Sequence, residues 1–267
     1  MLSLEIQQEL RKKYNPEGSV LRKMQKRMLE ILVEVDKICR KHGIQYWLEG
    51  GTLLGAVRHG GFIPWDDDID IQVLKKDYLR LIQILKAELP KEFRIQTNGE
   101  DSAYYWTSAK VRDTKSTIKE LWKYDECYKY RGLYIDIFPV DQLNKNAVRV
   151  IASLHHRIIS QVYKIRKKYF AVGDWLIKQE KYWGRKICFC IERIFPSSKY
   201  NYNWGRYYSL NCLEEELFPL KEVIFEGHSF YAPHDVDAYL KKVFGDYMSL
   251  PDEQNRKGHI LAVNWGE

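Results

Sequence analysis

The sequence predicts an α/β protein in which a mixed sheet is flanked by helices and extended by a helical lobe. Over the first 144 residues, segments with helical spacing of apolar residues alternate with short strand-like segments. The pattern then changes to long helical stretches that are rich in aromatic and basic residues. An apolar fraction of 45% over 267 residues is enough for a substantial core.

The elements of the first part can be read in chain order. Ser19 is placed to cap a helix over 20–42, which Gly43 ends. The segments that follow are a strand at 44–48, a turn at Gly50-Gly51, a brief helix from Thr52, a strand at 68–73, a helix at 75–89, strand candidates at 93–98, 105–112 and 115–121, and the clearest strand at 132–138, stopped by Pro139.

The second part is predicted to be mostly helical. Two or three long helices fill 145–215, a hairpin with a Glu226-Gly227 turn follows at 221–233, and a helix ends at Gly245 before an irregular polar tail. This organisation gives four parts: an N-terminal helical segment (1–43), a core that contains the sheet (44–144), a basic aromatic helical lobe (145–215), and a C-terminal hairpin, helix and tail packed on the core (216–267).

Charge and cysteine content limit the location and the partners. The N-terminus is charged almost from its start, unlike a signal peptide, and the five cysteines are odd in number and form no CxxC pair, so reduced thiols in the cytoplasm are expected. Residues 155–187 hold nine Lys/Arg against two acidic residues and therefore match the net charge of the whole chain, +7. Such a block suits the inner face of an anionic membrane, a polyanionic acceptor or a nucleic acid, and equally an ordinary solvated helix face.

An acidic run carries the strongest chemical signal. The stretch GFIPWDDDIDI (61–71) ends in an alternation that places Asp68 and Asp70 on one strand face and two isoleucines on the other. Asp136 lies in the middle of a second apolar strand, where a lone carboxylate is costly to bury without a partner. Three converging carboxylates predict a divalent cation, Mg²⁺ or Mn²⁺, that carries a nucleotide. The double glycine would let backbone N–H groups approach a phosphate.

Other interpretations of the acidic run fit less well. An EF-hand loop starting at Asp66 would need glycine and glutamate where Ile71 and Asp77 stand. A glycosidase would need a separated pair of carboxylates in a sugar cleft, and nothing in the spacing singles one out. A metal-dependent glycosyltransferase would explain Asp68 and Asp70 but not the double glycine. That alternative stays open beside a true nucleotidyltransferase and, from another class, a nucleic-acid-binding module that uses 155–187, although nucleic acid is the less expected partner.

Four blocks of the sequence resemble the LicD family. The long block YWLEGGTLLGAVRHGGFIPWDDDIDIQV (46–73) carries most of the resemblance, and AKVRDTKST (109–117), RGLYIDIFPVD (131–141) and VIFEGHSFYAPHDVDAYLKKVFGDYMSLP (223–251) extend it. The resemblance implies a nucleotidyltransferase-like core and a phosphotransferase of the kind that includes phosphocholine transferases and the relatives of fukutin. Such an enzyme would transfer a phospho-alcohol from a CDP-linked donor to a hydroxyl of a cell-surface glycan, such as lipopolysaccharide or teichoic acid, or of its lipid-linked precursor.

The resemblance and the strand patterns together give a set of candidate site residues. Asp68, Asp70 and Asp136 are implied as the metal-binding and catalytic carboxylates, with Asp136 as either ligand or base. The candidates for phosphate or substrate binding are Gly50, Gly51, Thr52, Arg58, His59, Lys110, Arg112 and Trp65. Lys110 and Arg112 share a strand face and could clamp a pyrophosphate, while Trp65 could stack on a base or a quaternary ammonium. Asp66 and Asp67 are weaker candidates, and His228, His234 and His259 are predicted to be ordinary surface or capping residues.

Overall fold

A mixed sheet organises the core of the protein in a computed structural model of the chain, which describes residues 2–121, 124–165, 170–202 and 210–266. The helices are α1 (Leu4–Tyr14), α2 (Val20–Lys41), α3 (Gly50–His59), α4 (Lys75–Glu88), α5 (Lys145–Ile165), α6 (Phe170–Ile194), α7 (Glu214–Leu217) and α8 (Val236–Phe244). The strands are β1 (Tyr46–Leu48), β2 (Asp70–Leu74), β3 (Phe93–Gln96), β4 (Ala109–Asp113), β5 (Ser116–Glu120), β6 (Tyr134–Gln142), β7 (Tyr200–Tyr202), β8 (Lys221–Phe225), β9 (His228–Ala232) and β10 (Ile260–Trp265).

The central sheet has the order β1-β2-β6-β4-β3, and β7 also pairs with β6. The β2–β6 pair is parallel and the other pairs are antiparallel, so the predicted mixed sheet with flanking helices is confirmed. Helices α2 and α4 pack against β6, and the apolar stripe of α2 contributes Met28, Ile31, Leu32 and Val35 to the core. The Ser19 hydroxyl accepts the N–H of Arg22, as expected of the predicted cap.

Two expectations for the secondary structure were wrong, and one strand was not predicted. Pro139 does not stop the sixth strand, which continues to Gln142. Proline is tolerated there because β4 pairs with residues 134–137 and β7 pairs with 140–142, so the missing N–H falls between the two partners. The helical reading of 145–215 fails at β7, which returns the chain to the sheet. Beyond the irregular tail, β10, which was not predicted, pairs with β5.

The helical lobe within the described residues consists mainly of α5 and α6, which pack against each other. Ile159, Val162 and Ile177 form a small apolar cluster with Tyr105 of the core. Nδ1 of the buried His155 ring in α5 lies within hydrogen-bond distance, 2.7 Å, of Glu180 Oε2 in α6. Among the described helices, none is both long enough and apolar enough to cross a bilayer.

Candidate active site

The acidic run leads into β2, and its side chains alternate between a partly exposed and a buried environment. Asp66, Asp68 and Asp70 are partly exposed, whereas Asp67, Ile69 and the residues that follow them in β2 are buried. The alternation predicted for 68–71 therefore extends back to Asp66, although β2 itself begins only at Asp70. Three carboxylates of the run face one accessible side of the protein.

Three neighbouring strands place further charged groups in a row with Asp70. Asp70 stands opposite Asp136 in the parallel β2–β6 pair, and Asp136 stands opposite Lys110 in the antiparallel β6–β4 pair. Lys110 Nζ lies 2.6 Å from Asp136 Oδ2 and 3.2 Å from the centroid of the Tyr134 ring. The sheet register thus brings together two predicted carboxylates and one predicted phosphate-binding lysine.

The N-terminus of α3 approaches the same carboxylates. Gly50 and Gly51 are the first residues of this helix rather than a separate turn, and Gly50 has a φ of 51°, which favours glycine. A Cβ on Gly51 would lie 2.8 Å from Asp66 Oδ2, so the absence of a side chain makes room for that carboxylate. Thr52 Oγ1 accepts the N–H of Asp70 at 2.9 Å and fixes the start of β2. Free N–H groups at a helix N-terminus also favour a phosphate.

The electrostatics of the acidic run favour binding of a cation. Burial, followed by repulsion from Asp68 and Asp67, raises the pKa of Asp66 well above its usual value. Burial also raises the pKa of Asp68, and repulsion from Asp67 and Asp136 adds to the shift, against the attraction of His259 and Lys110. Carboxylates that repel each other at an accessible edge are stabilised as anions by a bound cation, and hard oxygen donors suit Mg²⁺ or Mn²⁺.

Asp67, a weaker candidate, contacts His259, which was predicted to be an ordinary surface or capping residue. Both Asp67 carboxylate oxygens accept the backbone N–H of His259, at 2.8 and 2.7 Å, and Oδ2 also accepts that of Ile260 at 2.6 Å. His259 Nδ1 lies 3.3 Å from Asp67 Oδ1 and 3.7 Å from Asp68 Oδ2. The hydrogen bond with Asp67, together with the nearby carboxylates, raises the pKa of His259 to about 9. No spacing signal links positions 67 and 259.

Four of the predicted phosphate- or substrate-binding residues lie in packed surroundings instead. Arg58 Nη1 donates to the carbonyls of Tyr247 and Ser249, at 2.8 and 3.0 Å, and its Nε donates to His59 Nε2. Burial is the main cause that lowers the pKa of Arg58 to about 10 and that of His59 to about 3. These contacts tie α3 to the segment after α8.

Trp65 and Arg112 are similarly engaged by the protein. Arg256 lies 5.0 Å from the Trp65 ring, so a protein guanidinium already occupies one side of the indole. The Arg112 side chain is 0% exposed. Its guanidinium donates to Gln96 Oε1 and to the carbonyl of Gly132, both at 2.8 Å, and to Glu120 at 3.3 Å. Of the predicted clamp, Lys110 alone reaches the carboxylates.

Comparisons with known proteins point to one family. The model of the LicD/FKTN/FKRP nucleotidyltransferase domain matches residues 43–170. The lipopolysaccharide cholinephosphotransferase LicD of Haemophilus influenzae is 28% identical over an alignment that covers 90% of this chain and 96% of the relative. The ribitol 5-phosphate transferase FKRP of Homo sapiens is 52% identical over 46 residues, 17% of this chain and 9% of the relative. Mannosyltransferase regulator 4 of Saccharomyces cerevisiae is 35% identical over 75 residues, 28% of this chain and 6% of the relative.

Proposed function

Since this chain belongs to the LicD family and is a transferase, we propose that it transfers a phosphocholine-like group from a CDP-linked donor to a glycan hydroxyl. The observation that carries the proposal is the row of Asp70, Asp136 and Lys110 beside the N-terminus of α3. The relatives that act on cholinephosphate and ribitol 5-phosphate support a phospho-alcohol as the transferred group. Lipopolysaccharide, teichoic acid or a lipid-linked precursor would be the acceptor.

Each group in the row has a role in this proposal. Asp68, Asp70 and Asp136 would hold a divalent cation, which when bound would neutralise charge on the pyrophosphate of the donor. The N–H groups at Gly50 and Gly51 and the ammonium of Lys110 would orient phosphate oxygens for in-line attack. Asp136 would act either as a ligand or as the base for the acceptor hydroxyl, and Lys110 holds its carboxylate in place in both cases.

A thermal-shift panel tests the donor class. The protein would be heated with Mg²⁺ and, in turn, CDP-choline, CDP-ethanolamine, CDP-ribitol, CDP-glycerol and UDP-sugars. A donor present at a hundred times its Kd is expected to stabilise the fold by about 2.7 kcal/mol. Stabilisation by a CDP-linked alcohol and turnover of the same compound are the expected result. Stabilisation and turnover confined to a UDP-sugar would instead favour a glycosyltransferase and contradict the proposal.

We further propose that the lobe contacts an anionic membrane from the cytoplasmic side. Helix α6 exposes large aromatic residues, with Trp175 58% and Trp183 57% accessible, and exposed Arg185, Lys186 and Arg193 lie on the same helix. Aromatic and basic side chains together complement a surface of anionic headgroups above an apolar layer. Such contact would bring the active site to a lipid-linked acceptor. The most basic stretch, Arg166–Lys168, lies outside the described residues.

Removing positive charge from α6 should weaken membrane binding. The triple variant Arg185→Ser, Lys186→Ser and Arg193→Ser is expected to bind phosphatidylglycerol vesicles roughly tenfold or more weakly in low salt, because each lost cation removes attraction to the surface. The matched control replaces exposed Lys76, Lys91 and Lys221 by serine and loses the same charge elsewhere. Co-sedimentation measures both. Equal weakening in the two triples would mean that net charge, not this lobe, governs binding.

A further inference from the structure

We propose that His259 is a ligand of a second divalent cation and forms, with Asp66 and Asp68, a position that favours Mn²⁺ over Mg²⁺. The inference rests on the proposed metal-dependent function and assigns a residue outside the matched family domain. Within the described ranges, one carboxylate oxygen from each aspartate and one ring nitrogen of His259 lie within 4.8 Å of one another. A single cation could therefore contact all three groups after small side-chain adjustments.

The backbone around His259 is held firmly at the acidic run. Asp67 binds two consecutive N–H groups of the tail, and a Cβ on Gly258 would fall 2.3 Å from Asp67 Oδ2, so glycine permits the close approach. On the other side, the carbonyl of His259 accepts the N–H of Leu121 at 2.9 Å, and the β10–β5 pairing begins immediately afterwards. The position of the imidazole is thus set by main-chain contacts that do not depend on the ring.

Residues of the tail that precede His259 also contact the rest of the protein. Arg256 donates to the carbonyl of Pro251 at 2.9 Å and lies over Trp65, while Lys13 of α1 pairs with Glu253 at 2.6 Å. These contacts bring residues 251–259 across the loop that precedes the acidic run. The His259 side chain nevertheless stays 50% exposed and that of Asp68 24% exposed, so an ion and its solvent can reach both.

Asp68 lies between Asp66 and Asp70 in the acidic run, and the two ends of the run have chemically different neighbours. Asp68 Oδ2 lies 3.7 Å from His259 Nδ1, whereas Asp70, two residues further on, stands opposite Asp136 in the β2–β6 pair. The ligands proposed at the end with Asp70 and Asp136 are carboxylate oxygens, which suit Mg²⁺. The end with His259 adds an imidazole nitrogen, a ligand that Mn²⁺ accepts more readily than Mg²⁺ does. The two ends therefore predict two cation positions that share Asp68. One position prefers Mg²⁺ and the other prefers Mn²⁺.

Direct Mn²⁺ binding tests the assignment without an activity assay. The full-length protein would be titrated with Mn²⁺ while the free ion is followed by electron paramagnetic resonance, with Mg²⁺ as competitor. His259→Ala is expected to weaken Mn²⁺ binding at least about tenfold, since even losing a residue that only orients a ligand costs about 10–100-fold. Mg²⁺ affinity should change much less. His228→Ala, which removes an exposed histidine on β9, should leave both affinities unchanged.

A second variant protects the test against misfolding. His259→Gln keeps a side chain of similar size but replaces the imidazole by an amide, so the ratio of Mn²⁺ to Mg²⁺ affinity should fall. Parent-like Mn²⁺ affinity in folded His259→Ala, or an unchanged ratio in His259→Gln, would overturn the assignment. If Mn²⁺ binding depends on His259 but the parent protein turns over no CDP-linked donor, the result supports this site and overturns the proposed function.

Discussion

Replacing Asp70 by asparagine is expected to abolish transfer while leaving the protein folded. The substitution removes one negative charge from the row formed with Asp136 and Lys110, next to the N-terminus of α3. A cation ligand that stabilises charge in the transition state contributes several kcal/mol, so the rate should fall on the order of a thousandfold. Single-turnover transfer from the donor identified in the thermal-shift panel, at saturating Mg²⁺, measures the loss.

The surroundings of Asp70 explain why the fold should survive. The main-chain N–H of Asp70 donates to Thr52 Oγ1, and its main-chain carbonyl accepts the N–H of Glu49. Neither bond involves the Asp70 side chain. Asparagine keeps that backbone and nearly the same volume, so the melting temperature should stay close to that of the parent. Asp252→Asn, at an exposed position of the tail, is the charge-matched control. Near-parent turnover in Asp70→Asn would contradict the mechanism, whatever the donor.

Local sequence signals predicted the elements whose cause is local. The apolar spacing over 20–42 and the Ser19 cap gave α2 to within one residue, because both signals act within a few turns of helix. The Glu226-Gly227 turn also predicted the β8–β9 hairpin, and both residues have the positive φ that a tight turn of this kind requires. Such elements need no knowledge of the rest of the chain.

The missed elements depend on distant partners. Extension of β6 past Pro139 requires β7, which lies some sixty residues later, and β10 exists because β5 offers it an edge. Neither β7 nor β10 shows a strong alternation of polar and apolar residues, so pairing with a distant strand overrides the local sequence pattern. The same limit applies to the site, where alternation placed Asp68, Asp70 and Asp136 on strand faces but only the sheet register sets Asp70 opposite Asp136.

Charged residues were the hardest to interpret from sequence. Arg112 was predicted to bind phosphate, yet the structure surrounds it with Gln96, Glu120 and a main-chain carbonyl. A buried structural arginine and a ligand-binding arginine have the same side chain, and their difference lies in which acceptors the fold brings close. Asp67 illustrates the opposite case, because its partners are backbone N–H groups 192 and 193 residues away, which carry no sequence signature.

Asp67→Asn is expected to loosen the C-terminal tail and destabilise the protein by about 3 kcal/mol. The side chain is 3% exposed and both of its oxygens receive main-chain N–H groups of the tail. An asparagine would present an N–H₂ group to these donors in place of one oxygen and would lose the charge that strengthens the remaining bonds, each worth about 1.5–3 kcal/mol. For a chain of this size the melting temperature should fall by roughly 6–10 °C.

Limited trypsin digestion locates the effect and separates two roles for Asp67. Arg256 and Lys257 precede the anchored residues, so cleavage at these sites should accelerate in Asp67→Asn before other sites are cut, and mass spectrometry of the fragments identifies the order. Asp252→Asn, in the same tail but exposed, should keep the parent's digestion pattern and melting temperature. If Asp67→Asn instead kept parent-like stability and trypsin resistance but lost Mn²⁺ binding, Asp67 would act on the cation directly, and its role as the anchor that positions His259 would be refuted.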